Sequence, residues 1–323
     1  MRFIAEQRAC SILRNLILAA DPGGGPFLVP ANVCPVVPLT FLTVKRALEF
    51  IDIDENDLCM DRRLVTARLS RQPSVAGILF VRTYGVERDL TETFVGWKRA
   101  APGALIIDDR CLCRPECEPR DLQGADAALF STGYGKYVDL GFGGFAYLAA
   151  GVDYARKPGA FVPEDSARLM QLYKSHIARG SVLRSAGGTD PLGRWIPSEP
   201  LAISDAEYLR RVRERLESIP AGKARVNDIY RHAIPSCLQL GPEFATWRFQ
   251  IRVPGKRALL SRLFEAGHFA SDHYYPASRL FADQLCPRAE DLYEDVVNLF
   301  NDRTTTPAQA AAVADLVRAH VGR

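Results

Sequence analysis

The first half of the chain alternates between two hydrophobic periods. From about Ala5 to Ala20 apolar residues recur at helical spacing with charges between them, which predicts an amphipathic helix stopped by Pro22-Gly23-Gly24-Gly25. PFLVP (Pro26 to Pro30) reads as a short strand. Pro35 to Ala47 reads as a helix with Pro38 near its start, and LEFIDID (Leu48 to Asp54) as another strand. VAGILFVRTYG (Val75 to Gly85) is a buried strand ending in a turn. Thr91 to Ala101 is a helix. ALIID (Ala104 to Asp108), ADAALFS (Ala125 to Ser131) and GGFAYLAA (Gly143 to Ala150) are further strands. Apolar strands that alternate with helices predict an α/β fold, a mostly parallel sheet sandwiched by helices. Such sheets bind ligands at the carboxyl ends of their strands. Tyr84, Asp109 and Ser131 each fall at or just beyond such an end, which makes them candidate site residues.

The pattern changes after about Asp153. As far as Gly222 the chain is charged and helical in period, as in AISDAEYLRRVRERLESI (Ala202 to Ile219), with a Gly- and Pro-rich loop from Thr189 to Pro200. The last third is mixed. ATWRFQIRV (Ala245 to Val253) alternates like a half-buried strand. RALLSRLFEAG (Arg257 to Gly267) is a helix with a glycine stop, and Thr305 to Val321 is a helix with a threonine cap and proline in its first turn. A large α/β domain over residues 1–200 and a smaller α+β domain over residues 201–323 are expected.

Composition narrows the function. Of 323 residues 47% are hydrophobic, an ordinary globular proportion that argues against disorder. Forty-one basic against 38 acidic residues give a net charge of +3, which offers no electrostatic footprint for nucleic acid. No apolar run is long enough to span a membrane, and the N-terminus lacks a signal-peptide cleavage pattern. Eight cysteines without a secretion signal read as reduced thiols, hence a cytoplasmic location.

The most informative segment is ALFSTGYGKYVDLGFGGFAYL (Ala128 to Leu148). A strand ends at Ser131, Gly133 and Gly135 allow a tight turn, and Lys136 follows. Backbone N–H groups and a serine hydroxyl suit a phosphate, and a nearby lysine could form a Schiff base with a carbonyl. A glycine-rich loop with a solvated lysine is the plain alternative. In ALIIDDRCL (Ala104 to Leu112), Asp109 could face a cation such as a protonated pyridine nitrogen, or simply cap a turn. Together, lysine, strand-end aspartate and phosphate-type turn are the parts that hold pyridoxal phosphate.

Their order resembles the DegT/DnrJ/StrS aminotransferases, the fold-type-I sugar aminotransferases. The segments that carry the resemblance are FLVPANVCPVVPLTFLTVKRALEFIDID (Phe27 to Asp54), VRTYG (Val81 to Gly85), IIDDRC (Ile106 to Cys111) and FSTGYGK (Phe130 to Lys136). GFGG (Gly141 to Gly144), HYYP (His273 to Pro276) and CPRAEDLYEDVVNLF (Cys286 to Phe300) continue it nearly to the end of the chain. The resemblance implies that Lys136 forms the Schiff base with pyridoxal 5'-phosphate and Asp109 pairs with its ring nitrogen. Ser131 and the backbone near Arg8 and Ala9 would hold the phosphate. It further implies a ping-pong transfer from an amino acid, commonly glutamate, to a nucleotide-linked keto-sugar, in a homodimer. Tyr84 is a candidate substrate contact, and His273 is either a substrate contact at the mouth of the site or a surface histidine.

The chain departs from the family at several places. Glu6-Gln7-Arg8 stands where the family has Ser-Gly-Thr. Cys34 stands where an aromatic ring often covers the cofactor. Leu112 replaces a frequent His or Gln, and Phe142 an acidic residue. These departures keep open a non-catalytic relative that binds a ligand or partner. A related sugar dehydration is disfavoured by Lys136, since those enzymes carry histidine there. Cys111, Cys113 and Cys117 lack a matching second pair for zinc, so no metal is expected. His176 and Arg179, like Tyr208 to Arg215, are read as a solvated helix face.

Overall fold

In the computed structural model, which describes residues 1–20, 25–119, 121–183 and 194–322, the apolar runs of the first half become one sheet. In chain order its elements are β1 (Arg2–Glu6), α1 (Ala9–Ala19), β2 (Phe27–Pro30), α2 (Val36–Thr43), β3 (Leu48–Ile51), α3 (Arg62–Arg71), β4 (Gly77–Val81), α4 (Thr91–Ala100), β5 (Leu105–Asp109), β6 (Ala127–Ser131) and β7 (Gly144–Leu148). The seven strands lie in the order β1-β7-β6-β5-β4-β2-β3. Strands β2 to β6 are parallel, and β7 runs antiparallel to both β6 and β1.

Strand alternation sorts side chains onto two faces. Val29, Leu79, Ile107 and Leu129 pack beneath α1 with Ile12 and Leu16. Leu28, Ile78, Phe80, Ile106 and Phe130 face α3 and α4 through Val65, Leu69, Phe94 and Trp97. The same alternation parts the adjacent carboxylates of β5. Asp109 shares the α1 face with Ile107. Asp108 shares the opposite face with Ile106, where Arg82 (2.8 Å) and Arg110 (2.7 Å) neutralise it.

Beyond the sheet come α5 (Pro163–Arg179), α6 (Asp205–Ala233), β8 (Phe249–Arg252), α7 (Lys256–Glu265), β9 (Ala270–Ser271), α8 (Ala277–Ala282), α9 (Pro287–Asp295), β10 (Val296–Leu299) and α10 (Pro307–Val321). Strands β8, β10 and β9 form a second, antiparallel sheet. Helix α6 belongs to two cores. Tyr208, Val212, Leu216 and Ile219 pack on the large sheet, whereas Val226 and Tyr230 pack with Ile251, Val297, Leu299 and Val313.

Several elements differ from the sequence expectation. The first helix starts at Ala9, because Arg2–Glu6 pairs with β7 as an edge strand. Phe3, two positions from Ala5, meets Phe145 at 5.8 Å and Tyr147 at 5.5 Å, so period two wins there over the helical reading. Helix α2 ends at Thr43, four residues short of Ala47, and Lys45 beyond it takes a positive φ. β3 stops at Ile51 because Asp52 turns away to accept hydrogen bonds from the backbone N–H groups of Arg288 (3.0 Å) and Ala289 (3.0 Å). Tyr208 and Val212 are buried, so the basic run from Tyr208 to Arg215 is solvated only through its charged side chains. Pro22 to Gly24 and the first five residues of the Thr189 to Pro200 loop lie outside the described residues. Among the described residues no helix is long and apolar enough to cross a membrane, and no group of three or more His, Cys, Asp or Glu is placed to hold a metal.

Candidate active site

The lysine loop is built by hydrogen bonds that its sequence supplies. β6 ends at Ser131, and the next side chain turns inward. Thr132 donates its hydroxyl to the Phe142 carbonyl (2.7 Å) and meets the Tyr208 hydroxyl at 2.5 Å. Asp139 then accepts from the N–H of Gly135 (2.8 Å) and of Gly141 (2.8 Å), which folds the loop onto itself. Gly135 has φ +68°, a conformation that excludes most side chains. The indole N–H of Trp247 donates to the Gly135 carbonyl at 2.7 Å, so the C-terminal third also grips this loop.

The start of α1 comes to the same place. The Gly143 N–H donates to the Gln7 carbonyl at 2.7 Å. A Cβ on Gly144 would fall 2.3 Å from the Ala9 nitrogen, so only glycine lets β7 press this closely on the helix. Arg8, the N-cap, offers no side-chain cap. The Ser11 N–H turns back to the Arg8 carbonyl at 3.0 Å. The start of α1 lines the cavity through Arg8, Ala9 and Cys10 and presents the positive end of the helix dipole there, a setting that favours an anion.

Asp109 closes the other side. One carboxylate oxygen accepts the Cys111 N–H at 2.9 Å. Burial pushes its pKa above the usual carboxylate value, against the pull of the Cys111 hydrogen bonds and the Lys136 ammonium. A cation beside it would restore its charge.

Arg8, Ala9, Cys34, Asp109, Ser131 and Lys136 all line one cavity of about 330 Å³. Six candidates drawn from segments far apart in sequence thus share one wall. Cys34 is half-buried there, and desolvation raises its thiol pKa while Lys136 opposes the rise. Cys10 and Cys111 line the same cavity, and burial likewise raises both, Cys10 to about 12. All three thiols are therefore protonated near neutral pH.

Tyr84 and His273 stand behind this wall and do not line it. The Tyr84 hydroxyl donates to the His273 carbonyl at 2.6 Å, and the Tyr84 ring lies parallel to those of Trp247 and Tyr274. His273 pairs through Nδ1 with the Ser271 hydroxyl at 2.9 Å. Burial, then the charges of Arg248 and Lys136, hold its pKa down to about 4. It is a neutral imidazole over the physiological range.

Two aromatic walls were not read from the sequence. Trp195 and Tyr274 line the cavity, and the Trp195 indole N–H donates to the Thr43 hydroxyl at 3.0 Å. A lone tryptophan in a Gly- and Pro-rich loop was the available signal for Trp195. Nothing local marked Tyr274 apart from its neighbours in HYYP.

No family model matches the chain, and no curated protein matches it. Solved structures do. The sugar aminotransferase CalS13 of Micromonospora echinospora is 18% identical, with a TM-score of 0.67 over 98% of this chain and 87% of its own. The PLP form of the putative sugar aminotransferase Spr1654 of Streptococcus pneumoniae is 16% identical, with a TM-score of 0.71 over 99% and 87%. A DegT DnrJ EryC1 StrS aminotransferase of Brucella abortus is 16% identical, with a TM-score of 0.69 over 100% and 87%. The fold of this chain is that of the fold-type-I transferases.

Proposed function

We propose that the protein is a pyridoxal-phosphate-dependent aminotransferase that moves an amino group from an amino acid, glutamate in the first instance, to a nucleotide-linked keto-sugar. The observation that carries this reading is the single cavity walled by Lys136, Asp109, Ser131 and the N-terminus of α1. It offers an amine, a carboxylate and an anion-binding end, the three groups the cofactor needs.

When bound, the cofactor supplies an electron sink for the carbanion formed at the substrate's α-carbon. Asp109 holds a proton on the ring nitrogen, and the buried carboxylate is strongest as an acceptor in this dry setting. Ser131 Oγ, the first N–H groups of α1 and the Arg8 guanidinium hold the phosphate. Lys136 Nζ anchors the cofactor covalently. As a free amine, Lys136 Nζ would move the proton at the substrate's α-carbon. Trp195, Tyr274, Val37 and Leu112 give the cavity apolar walls that exclude water from that transfer.

A second hollow supports an anionic acceptor. Arg211, Arg215 and Arg303 border, with Asp139 and Glu214, a groove of about 550 Å³ that shares Tyr134, Gly141 and Phe142 with the cavity, and Arg211 is already paired with Glu207 at 2.7 Å. A sugar lying in the cavity would carry its phosphates toward Arg215 and Arg303. The cytoplasm, as a homodimer, is the setting that goes with this activity.

The test is spectral and separates the two half-reactions. Glutamate should convert the yellow form of the purified protein to the aminated form. A panel of nucleotide-linked keto-sugars should then restore the colour, while the corresponding free sugars restore it poorly. A protein that takes up no cofactor, or that returns to yellow equally well with free sugars, contradicts the activity or the acceptor respectively.

A further inference from the structure

Helix α6 carries one lysine into the interior. Lys223 is 7% exposed, and among the described residues it forms no ion pair. Its Nζ donates to the Trp247 carbonyl at 2.8 Å and to Asn301 Oδ1 at 2.7 Å, and stands 5.2 Å from the centroid of the Tyr137 ring. Asn301 is itself held, since its Nδ2 donates to Asn227 Oδ1 (2.8 Å) and to the Ala245 carbonyl (3.1 Å). The indole of the same Trp247 donates to the Gly135 carbonyl. Gly135 and Tyr137 are the chain neighbours of Lys136.

We infer that Lys223 is a positioning residue for Lys136, its ammonium gripping Gly135 through Trp247 and Tyr137 through the ring face. The inference rests on the reading of Lys136 as the cofactor-binding amine. An unpaired buried ammonium is costly, and an apolar side chain of similar length would fill the space more cheaply. What the ammonium adds is charge-assisted donation to two fixed acceptors and attraction to a π-face. Two segments distant in sequence, α6 and the stretch before β8, are thereby tied to the loop that aims Lys136 into the cavity.

The grip varies with pH. Of the charged groups around Lys223, Asp302 favours the ammonium and Arg248 opposes it, while the Tyr137 ring faces it. Burial outweighs these and brings the pKa down to about 7. Above that, the neutral amine keeps weaker hydrogen bonds and loses the attraction of the ring.

The experiment follows covalent capture of added pyridoxal phosphate by the full-length protein, from the visible band, at pH values on both sides of neutrality. In parallel, NMR of ¹³C/¹⁵N-labelled lysine follows the Lys223 titration without cofactor. The wild type should show a lysine titrating near neutrality that disappears in Lys223→Met. The variant should capture cofactor at least about tenfold more slowly below neutrality, without the wild-type pH inflection and with unchanged far-ultraviolet dichroism. Tyr137→Leu retains the ammonium, and should lower its titration midpoint and slow capture. Lys223→Met with wild-type capture at every pH overturns the inference, and so does Tyr137→Leu with an unmoved midpoint. A wild-type protein that captures no cofactor overturns the functional reading, and this inference with it.

Discussion

Gly144→Ala places one methyl group where the fold leaves no room. The added Cβ would lie 2.3 Å from the nitrogen, 2.5 Å from the Cα and 2.8 Å from the Cβ of Ala9. Two of these are main-chain atoms at the start of α1, and none is the movable end of a side chain. Ordinary contact needs about 3.5 Å, so β7 and α1 must part by roughly 1 Å. Overpacking of this kind costs about 1–3 kcal/mol, and a main-chain contact belongs at the upper end. The same displacement withdraws the start of α1 from the cavity wall, where the proposed function puts the cofactor's phosphate. Loss of one charge-assisted hydrogen bond, about 1.5–3 kcal/mol, weakens cofactor binding by roughly 10- to 150-fold. Urea denaturation gives the first quantity and a spectral titration with pyridoxal phosphate the second. Gly96→Ala is the control. Nothing lies within 4 Å of its new methyl, in the middle of α4, so it should raise stability by about 0.5–1 kcal/mol. Wild-type stability and wild-type cofactor affinity in Gly144→Ala would refute the reasoning.

Under the proposed function Asp109→Asn would remove the charge beside the cofactor's ring nitrogen, and should lower kcat by about 10²-fold or more while cofactor is still bound, as single-turnover kinetics would show. Thr132→Val leaves the Phe142 carbonyl and the Tyr208 hydroxyl without their shared partner, and should cost about 1–3 kcal/mol in denaturant. His273 titrates near 6.5 in the unfolded chain and near 4 in the fold, so the unfolded state binds its proton first as pH falls. Its contribution is present above 6.5 and lost between there and 4, at most about 3 kcal/mol, and His273→Gln should flatten that part of the stability–pH curve.

The residues read most directly from the sequence sit where parallel strands end. Asp109 and Ser131 close β5 and β6, and Lys136 follows at the next turn, so a few apolar residues upstream were enough to locate them. Arg8 and Ala9 came from the family resemblance, and the structure brings them to the same cavity even though the helix begins later than its hydrophobic pattern implied. Trp195, Tyr274 and Lys223 were harder, because each acts through a contact with a segment distant in sequence. Helix α3 leaves no clear trace in the sequence, for a local reason. In RRLVTARLSR only Val65 and Leu69 are buried, too few for a clear helical period. Strand β1 was hidden by its edge position, where one exposed side and a neighbouring helix blur period two into period 3.6.

Borohydride reduction of the cofactor-loaded protein, followed by peptide mapping, tests the central claim most directly. The pyridoxyl label should lie on Lys136, and Lys136→Ala should take up no covalent label. A label on any other lysine, or full labelling of Lys136→Ala, would contradict the account.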